Sequence, residues 1–192
     1  MQFPVNLNLD GRPCLVVGAG PIALRKTDQL LSCGANVTVL APEIHPRFAS
    51  LPVRVVQRVY ESNDVVGYRL VITATANRDV DQQIYDEAES HGIWVNSADD
   101  PDRCAFTLPA VVRRGSLMLT VSTGGASPGL SSWLRQRLER EFGEGWADVV
   151  SDLALERARL HAAGQSTEGL DWAPSIERAI ADRIGTTGVG AT

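Results

Sequence analysis

Residues 12–42 have the sequence RPCLVVGAGPIALRKTDQLLSCGANVTVLAP. An apolar run at residues 14–17 comes directly before the pattern Gly-x-Gly-x-x-Ala at residues 18–23, and a second apolar run follows at residues 37–40. Between the two runs, apolar residues recur at helical spacing until Gly34. Together these features predict one β-α-β unit with a tight glycine turn between the first strand and the helix.

The glycine turn suits a bound pyrophosphate. Gly18 permits the tight turn, and Gly20 lets the backbone approach a phosphate at the helix N-terminus. Ala23 is small enough for the helix to lie close to the strands. The pattern therefore indicates a dinucleotide site. The alternative is an ordinary strand-to-helix connection with nothing bound, because a fold alone does not define a function.

The end of the second predicted strand bears on the choice of cofactor. Many NAD sites place an Asp or Glu there, about 20 residues beyond the glycines, to bind the ribose hydroxyls. Here Ala41, Pro42 and Glu43 follow the strand, and Glu43 is slightly late for that role. Arg47 is the nearest cation that could meet a 2′-phosphate. These residues favour NAD, with backbone contacts at Pro42 and Glu43 replacing the usual carboxylate, and NADP is the alternative.

The composition is that of a globular protein without a membrane span. The chain has 192 residues, of which 44% are hydrophobic and 21% charged, and no apolar run approaches the roughly 20 residues that cross a bilayer. The first residues lack a basic segment and a long apolar core, which predicts a cytoplasmic protein. A net charge of −5 argues against nucleic-acid binding, and the three cysteines lack metal-ligand spacing.

The rest of the first half continues the alternation of strands and helices. Strands are predicted at residues 53–56, 70–75 and 93–96, with a helix over residues 80–91 that Asp79 caps. This order predicts an α/β fold: a Rossmann-like, doubly wound parallel sheet that occupies residues 1–112 as an NAD-binding domain.

The pattern changes beyond the predicted sheet. Strands at residues 105–108 and 117–122 lie too close for a crossover helix, so a long hairpin or a domain exit is expected. Ser127 caps a predicted helix at residues 129–142, with Pro128 at its first position. Further helices at residues 146–162 and 174–184 predict a small helical subdomain. The resulting boundaries are 113–145 for a middle segment, 146–185 for the helical subdomain, and 186–192 for a disordered tail.

Polar residues that could bind or react follow several predicted strands. Residues 18–23, 75–77 and 96–101 should meet at the carboxyl edge of the sheet, where ligands of such folds bind. Thr75 is the cofactor candidate of the second group. Asp99 and Asp100, in the third group, could act as a general base or a metal ligand. The alternative is a simple turn, because Asp-Asp-Pro is also a good loop initiator.

Anion-binding candidates are the loop at residues 122–128, SerThrGlyGlyAlaSerPro, and the arginines. The loop offers hydroxyls and backbone amides before a helix N-terminus, although a plain capped loop is equally consistent with the sequence. Arginine suits bidentate carboxylate binding, whereas an arginine-rich helix face can also be simply solvated. The residues selected as anion-binding candidates are Arg103, Arg113, Arg135, Thr123, Gly124, Gly125 and Ser127.

Taken together, the motifs resemble the precorrin-2 dehydrogenase family, which includes the dehydrogenase and ferrochelatase module of siroheme synthase. The resemblance covers about residues 1–145. Its motifs are GAGPIA at 18–23, RK at 25–26, VLAP at 39–42, TAT at 73–75, NSAD at 96–99, FTLPA at 106–110 and STGGASP at 122–128.

The resemblance implies a reaction and the residues that perform it. It implies oxidation of precorrin-2 to sirohydrochlorin with NAD taking the hydride and, in some members, insertion of ferrous iron, with cobalt as an alternative metal. Asp99 matches the family's catalytic aspartate, thought to act as a base and to assist chelation as a transient metal ligand. Pro21 and Ile22, together with Pro42 and Glu43, match its NAD-contacting positions.

The resemblance also implies an assembly and a substrate. Residues 122–128 match the loop that leads into a dimerisation segment, so a homodimer with exchanged elements is expected. A tetrapyrrole with many carboxylates needs cations and amide dipoles to bind it. Our hypothesis is that Arg103, Arg113, Arg135 and the Gly124-Gly125 loop supply them. Two alternatives are a non-catalytic NAD-sensing regulatory module of the same fold, and a chelatase without dehydrogenase activity.

Overall fold

The computed structural model describes residues 2–98 and 100–185. The chain divides into two compact units, one that ends at Thr107 and one that begins at Leu108. Asp99 and the predicted tail at 186–192 lie outside the described residues. Among the residues that are described, no helix is long and apolar enough to cross a membrane.

The first unit contains a five-stranded sheet in which every pairing is parallel, in the order β3-β2-β1-β4-β5. This order confirms the predicted doubly wound α/β fold. From β1, the chain first adds strands on one side of the sheet (β2, β3) and then on the other side (β4, β5), so the point of reversal lies between β1 and β4. The strands are β1 (Pro13–Val17), β2 (Asn36–Leu40), β3 (Arg54–Val56), β4 (Leu70–Thr73) and β5 (Trp94–Ser97).

Helices cover both faces of this sheet, and the alternation of side chains along β1 shows how. Cys14 and Val16 belong to an apolar cluster that includes residues of α1 (Pro21–Leu31), whereas Leu15 and Val17 belong to a second cluster with residues of α2 (Arg78–Ser90). Successive strand residues point to opposite faces, so a strand buried on both sides is apolar throughout. The continuous apolar run that the sequence showed is therefore required by this double layer.

Two local predictions are wrong. Residues 105–108 do not form a strand, because the Asn96 side-chain amide donates to the Phe106 carbonyl at 2.8 Å and Pro109 has no N–H to donate to a ladder. The cap of α2 is Asn77 and not Asp79, since the Asn77 Oδ1 accepts hydrogen bonds from the N–H groups of Asp79 and Val80 at 3.1 and 3.3 Å.

The second unit consists of an antiparallel hairpin and three helices. The hairpin is formed by β6 (Ala110–Arg114) and β7 (Leu117–Val121), which confirms that a hairpin follows the sheet but places its first arm later than predicted. The predicted cap of the first helix is confirmed, because the Ser127 hydroxyl oxygen accepts from the Leu130 N–H at 3.3 Å. The helices are α3 (Pro128–Glu141), α4 (Trp146–Ala162) and α5 (Ala173–Arg183).

Candidate functional site

The glycine turn closes the carboxyl edge of the sheet beside β1. Gly18 has a φ of +108°, a conformation that favours glycine, and its N–H donates to the Leu40 carbonyl at 2.8 Å. A Cβ added at Gly18 would lie 2.2 Å from the Ala74 carbonyl oxygen. The ends of β1, β2 and β4 therefore meet at a point that has no room for a side chain.

Gly20 has a different role from Gly18. Its φ of −82° and ψ of −173° are open to any residue, and a Cβ added there would meet no described protein atom within 4 Å. Neither the backbone nor the packing of the protein requires glycine at this position, which lies at the N-terminus of α1. A side chain there would instead occupy the space into which the helix N–H groups point, so the turn fits a phosphate-containing ligand.

The first turn of α1 supplies the donors for such a ligand. Pro21 takes the first helical position, where it has no N–H, and the Leu24 N–H already donates to the Gly20 carbonyl at 2.9 Å. The N–H groups of Ile22 and Ala23 remain as the donors of this turn. Ala23 is fully buried, which agrees with its predicted role as the small residue between helix and strands.

The connection after β2 is fastened to the glycine turn. The His45 N–H donates to the Ala19 carbonyl at 3.2 Å, and the His45 Nδ1 accepts from the Arg47 N–H at 3.3 Å. Pro42 and Glu43 are exposed in the same connection, and the Pro42 carbonyl accepts from the Gln57 side chain at 3.3 Å. His45 was not among the predicted site residues, because a backbone bond across 26 residues leaves no signal in the sequence.

Thr75 lies in the connection from β4 to α2, but its hydroxyl is engaged within the protein. The Thr75 Oγ1 donates to the Asp81 carboxylate at 2.7 Å and accepts from the Asn77 N–H at 3.1 Å. Ala76 between them has a φ of +58°, which is uncommon for a residue other than glycine. Thr75 therefore shapes this turn at the carboxyl edge, where the dinucleotide site was predicted.

The loop after β5 is held by buried polar side chains. Ser97 is buried, its hydroxyl oxygen accepts from the Thr73 hydroxyl at 3.2 Å, and the Ala98 N–H donates to the Thr73 carbonyl at 2.8 Å. The Cys104 thiol lies 3.1 Å from the Asp100 carbonyl oxygen and 3.3 Å from the Ser97 carbonyl oxygen, and burial raises its pKa. This thiol is a structural donor and a poor nucleophile.

Arg103 differs from the other candidate arginines, because 9% of the residue is exposed. Its Nε donates to the Gln82 side-chain oxygen at 2.7 Å, and its Nη1 donates to the Asp100 carboxylate. Arg113 is exposed on β6, and Arg135 forms an ion pair with Glu139 one turn along α3. The structure thus separates one buried arginine from two arginines whose side chains are more accessible to solvent.

The loop at residues 122–128 is held by hydrogen bonds from its own backbone N–H groups. The N–H groups of Gly124, Ala126 and Ser127 donate to the Ser122 hydroxyl, the Thr123 carbonyl and the Thr123 hydroxyl, at 3.2, 3.1 and 3.0 Å respectively. Gly124 and Gly125 have positive φ angles of 62° and 87°. These bonds favour a capped turn, and the Gly125 N–H is not among them, so the loop could offer this amide to an anion.

The described residues contain no cluster of three or more His, Cys, Asp or Glu side chains that could hold a metal ion. Asp99, the predicted base and transient metal ligand, lies outside the described residues, so the structure gives no geometry for it. Its two chain neighbours, Ala98 and Asp100, are described and hydrogen-bonded as given above.

A parallel sheet in the order 3-2-1-4-5, with a glycine turn and a free helix N-terminus at its point of reversal, defines a dinucleotide-binding α/β protein. The family assignment agrees with this class. The chain belongs to the family described as "Putative NAD(P)-binding", whose profile matches residues 5–110, and residues 114–141 match the profile described as "Sirohaem biosynthesis protein central". The predicted use of a dinucleotide cofactor is confirmed at this level.

Relatives include two siroheme synthases. The chain is 38% identical to that of Methylococcus capsulatus over 197 residues and 35% identical to that of Nitrosococcus oceani over 191 residues. These alignments cover 94% and 96% of this chain, but 40% and 41% of the two relatives. The chain therefore spans about two fifths of the length of these curated relatives.

A solved structure matches nearly the whole chain. It is described as SirC, precorrin-2 dehydrogenase, and it superposes with a TM-score of 0.71 at 27% sequence identity. The match covers 93% of this chain and 87% of that one. The resemblance to precorrin-2 dehydrogenases and siroheme synthases that the motifs indicated is confirmed.

Proposed function

We propose that this protein is an NAD-dependent dehydrogenase of the cytoplasm that oxidises precorrin-2 to sirohydrochlorin. The observation that carries the proposal is the glycine turn at the reversal point of the sheet, in a chain that matches a precorrin-2 dehydrogenase over nearly all of both lengths. The match at residues 114–141 to the sirohaem biosynthesis profile favours this enzyme over a regulatory NAD sensor, which would not need that segment.

The reaction removes a hydride and a proton from the substrate. When bound, NAD supplies the hydride acceptor. A carboxylate can take the proton, and we assign this role to Asp99, which comes two residues after β5 in the sequence. Ligands of such sheets bind beyond the carboxyl ends of the strands. In members that insert ferrous iron, the same carboxylate would serve as a transient ligand.

NAD is the proposed cofactor in preference to NADP. Glu43 is exposed in the connection after β2, and its negative charge would repel a 2′-phosphate at the adenosine ribose. Pro42 in that connection, together with Pro21 and Ile22 in the first turn of α1, forms the rest of the cofactor contact. Because the Pro42 carbonyl already accepts from Gln57, this part of the contact is held in place before the cofactor binds.

The carboxylates of the tetrapyrrole require cations. We propose that Arg113 and Arg135 supply them, because both have solvent-accessible side chains, and that Thr123, Gly124, Gly125 and Ser127 shape the loop beside them in the same unit. Replacing Arg113 or Arg135 by Gln should raise the KM for precorrin-2 by about tenfold and leave the NAD affinity unchanged. Unchanged kinetics in both variants would remove these residues from the substrate site.

A homodimer is the proposed assembly, with residues 113–145 as the dimerisation segment and residues 146–185 as a helical subdomain. Every residue of α3 is at least partly exposed, and Leu130 and Trp133 on this helix are 48% and 52% exposed. An amphipathic helix that leaves large apolar side chains exposed fits association with a second chain.

The proposal is tested by anaerobic incubation of the purified protein with precorrin-2 and NAD, with NADH absorbance as the readout. The parent should form NADH, and Asp99→Ala should form none while it retains NAD binding. A folded parent that binds NAD but forms no NADH would contradict the dehydrogenase proposal. Metallation of sirohydrochlorin by ferrous iron without NAD would then identify a chelatase, and its absence would favour the NAD sensor.

A further inference from the structure

The loop at residues 98–104, which follows β5, contains a positively charged arginine side chain that the proposed reaction does not use. Arg103 lies in a short 3₁₀ turn, Pro101–Arg103, and 11% of its side chain is exposed. A guanidinium is among the groups least often buried, and burial without a counter-charge is strongly unfavourable. The carboxylate of Asp100 supplies that counter-charge, so the two side chains stabilise each other in one arrangement.

Arg103 also links this loop to a helix. Its Nε donates at 2.7 Å to the side-chain oxygen of Gln82, which belongs to α2, while its Nη1 donates to Asp100 in the loop. The planar guanidinium fixes the directions of both hydrogen bonds. A single side chain therefore tethers the loop to an element that is packed against the sheet core.

Asp100 is held at several other atoms. Its N–H donates to the Ser97 carbonyl at 3.4 Å, its Oδ1 accepts from the Asp102 N–H at 3.2 Å, and its carbonyl accepts from the Arg103 N–H at 3.2 Å. On the other side of position 99, the Ala98 N–H is bonded to the Thr73 carbonyl in β4. Both chain neighbours of Asp99 are thus anchored, Ala98 by the sheet and Asp100 by bonds within the loop together with Arg103, which adds the link to α2.

We infer that Arg103 is a positioning residue for the loop that carries the proposed base, and not a ligand of the substrate. This inference rests on the proposed function. A substrate carboxylate at Arg103 would have to compete with Asp100 for a buried guanidinium. The tether acts on the orientation of the loop, and small misplacements of a reacting group cost a large share of the rate while leaving distant binding contacts intact.

The kinetic test uses Arg103→Gln and Arg103→Lys, with Arg54→Gln as the matched control on the exposed edge strand β3. Arg103→Gln should lower kcat about ten- to a hundredfold, with the NAD Kd and the KM for precorrin-2 within about twofold of the parent. Arg103→Lys keeps the charge beside Asp100 and should recover part of kcat, and Arg54→Gln should behave as the parent.

Three outcomes would overturn the inference: a parental kcat in Arg103→Gln, a rise in the KM for precorrin-2 alone, or equal losses of kcat and NAD binding that Arg103→Lys does not repair. Should Arg103→Gln fail to fold, Gln82→Leu removes the link to α2 and keeps the ion pair. This variant is expected to lower kcat severalfold, and a parental kcat in it would overturn the tether.

Hydrogen exchange separates this inference from the proposed function, because it needs no turnover. The backbone amides of residues 98–104 should exchange about tenfold faster in Arg103→Gln than in the parent, while those of α1 keep their protection. Equal exchange rates in this loop would overturn the tether even in an active enzyme. A parent that forms no NADH would instead refute the proposed function, whatever the exchange rates.

Discussion

The two units of this chain bury their apolar residues to very different degrees. In the first unit, two clusters enclose the sheet on both faces, and residues such as Val16, Ile84 and Val95 are fully buried. In the second unit, the buried apolar residues among those described are Val112, Val149 and Ala179. The contrast indicates a first unit whose core is complete in one chain and a second unit that buries far less of its apolar surface.

Gly18→Ala should break the first unit most severely. The added Cβ would overlap the Ala74 carbonyl oxygen, and the φ of +108° is strained for alanine, so we expect a loss of about 4 kcal/mol or more in the free energy of unfolding. Chemical denaturation of the purified variant measures this loss. A stability equal to that of the parent would mean that the ends of β1 and β4 separate easily.

Gly20→Ala is the matched control, because its Cβ meets no described protein atom within 4 Å and its φ is ordinary. Its stability should stay within about 0.5 kcal/mol of the parent, while the NAD affinity falls about tenfold, measured by calorimetric titration. An unchanged affinity would contradict the interpretation that the ligand approaches the backbone here.

Ile84→Ala should rank next in its effect. This residue of α2 has no exposed surface, and truncation of a buried Ile removes apolar contacts and leaves a cavity. We expect the free energy of unfolding to fall by about 3 kcal/mol. Leu155→Ala, at a position 57% exposed on α4, is the comparison in the second unit and should change it by less than about 1 kcal/mol. Similar losses in both variants would erase the contrast between the units.

Trp133→Asp tests whether the exposed apolar surface of the second unit binds a second copy of the chain. A charge at this exposed position on α3 should weaken self-association by about 2 kcal/mol without unfolding the chain. Sedimentation equilibrium over a range of concentrations measures the shift from dimer to monomer, and NAD binding by the first unit should persist. A parent that sediments as a monomer at every concentration would refute the proposed dimer directly.

The smallest effect on stability is expected from the loss of one ion pair in each unit. Both ion pairs weaken at acid pH. Hydrogen bonds from Arg58 lower the pKa of Asp64, and those from Arg183 lower the pKa of Asp152. Because each folded-state pKa lies below the unfolded value near 4, the stabilisation is present above that pH and is lost as the pH falls through the folded value.

Asp64→Asn should therefore lower stability at neutral pH and flatten its dependence on pH below about 4. Asp152→Asn should do so less, since Asp152 is the more exposed carboxylate of the two, with 35% of its side chain accessible against 15% for Asp64. Urea denaturation from pH 2 to 7 measures both variants. A larger loss of stability in Asp152→Asn would contradict the expectation that the ion pair of the first unit is the more stabilising of the two.

Local patterns predicted the parts of the fold that depend on chain neighbours. The apolar run before Gly18, the helix after it and the Ser127 cap are all confirmed, because strand period, turn glycines and caps act within a few residues. Asp79 failed as a cap because Asn77, two residues earlier, is an equally good capping residue and begins the helix at Arg78. Sequence alone could not rank these two candidates.

The residues of the candidate site were predicted only where a local sequence motif marks them. The glycine turn is a local motif, whereas Arg103 was selected as a substrate ligand from its residue type. The structure pairs it with Gln82, 21 positions earlier, and with Asp100. Which arginine is buried depends on how α2 packs beside β5, and that is a property of the tertiary structure. His45 was missed because its contact with Ala19 is made by backbone atoms.

That backbone bond limits how the cofactor preference can be redesigned. Engineering toward NADP would replace residues 41–47, and the replacement must keep a residue with an N–H at position 45, since that group holds the segment to Ala19. Proline, which already occurs at positions 42 and 46, is therefore excluded at 45. A loop graft that ignores this rule would lose the bond that fastens this segment to the glycine turn.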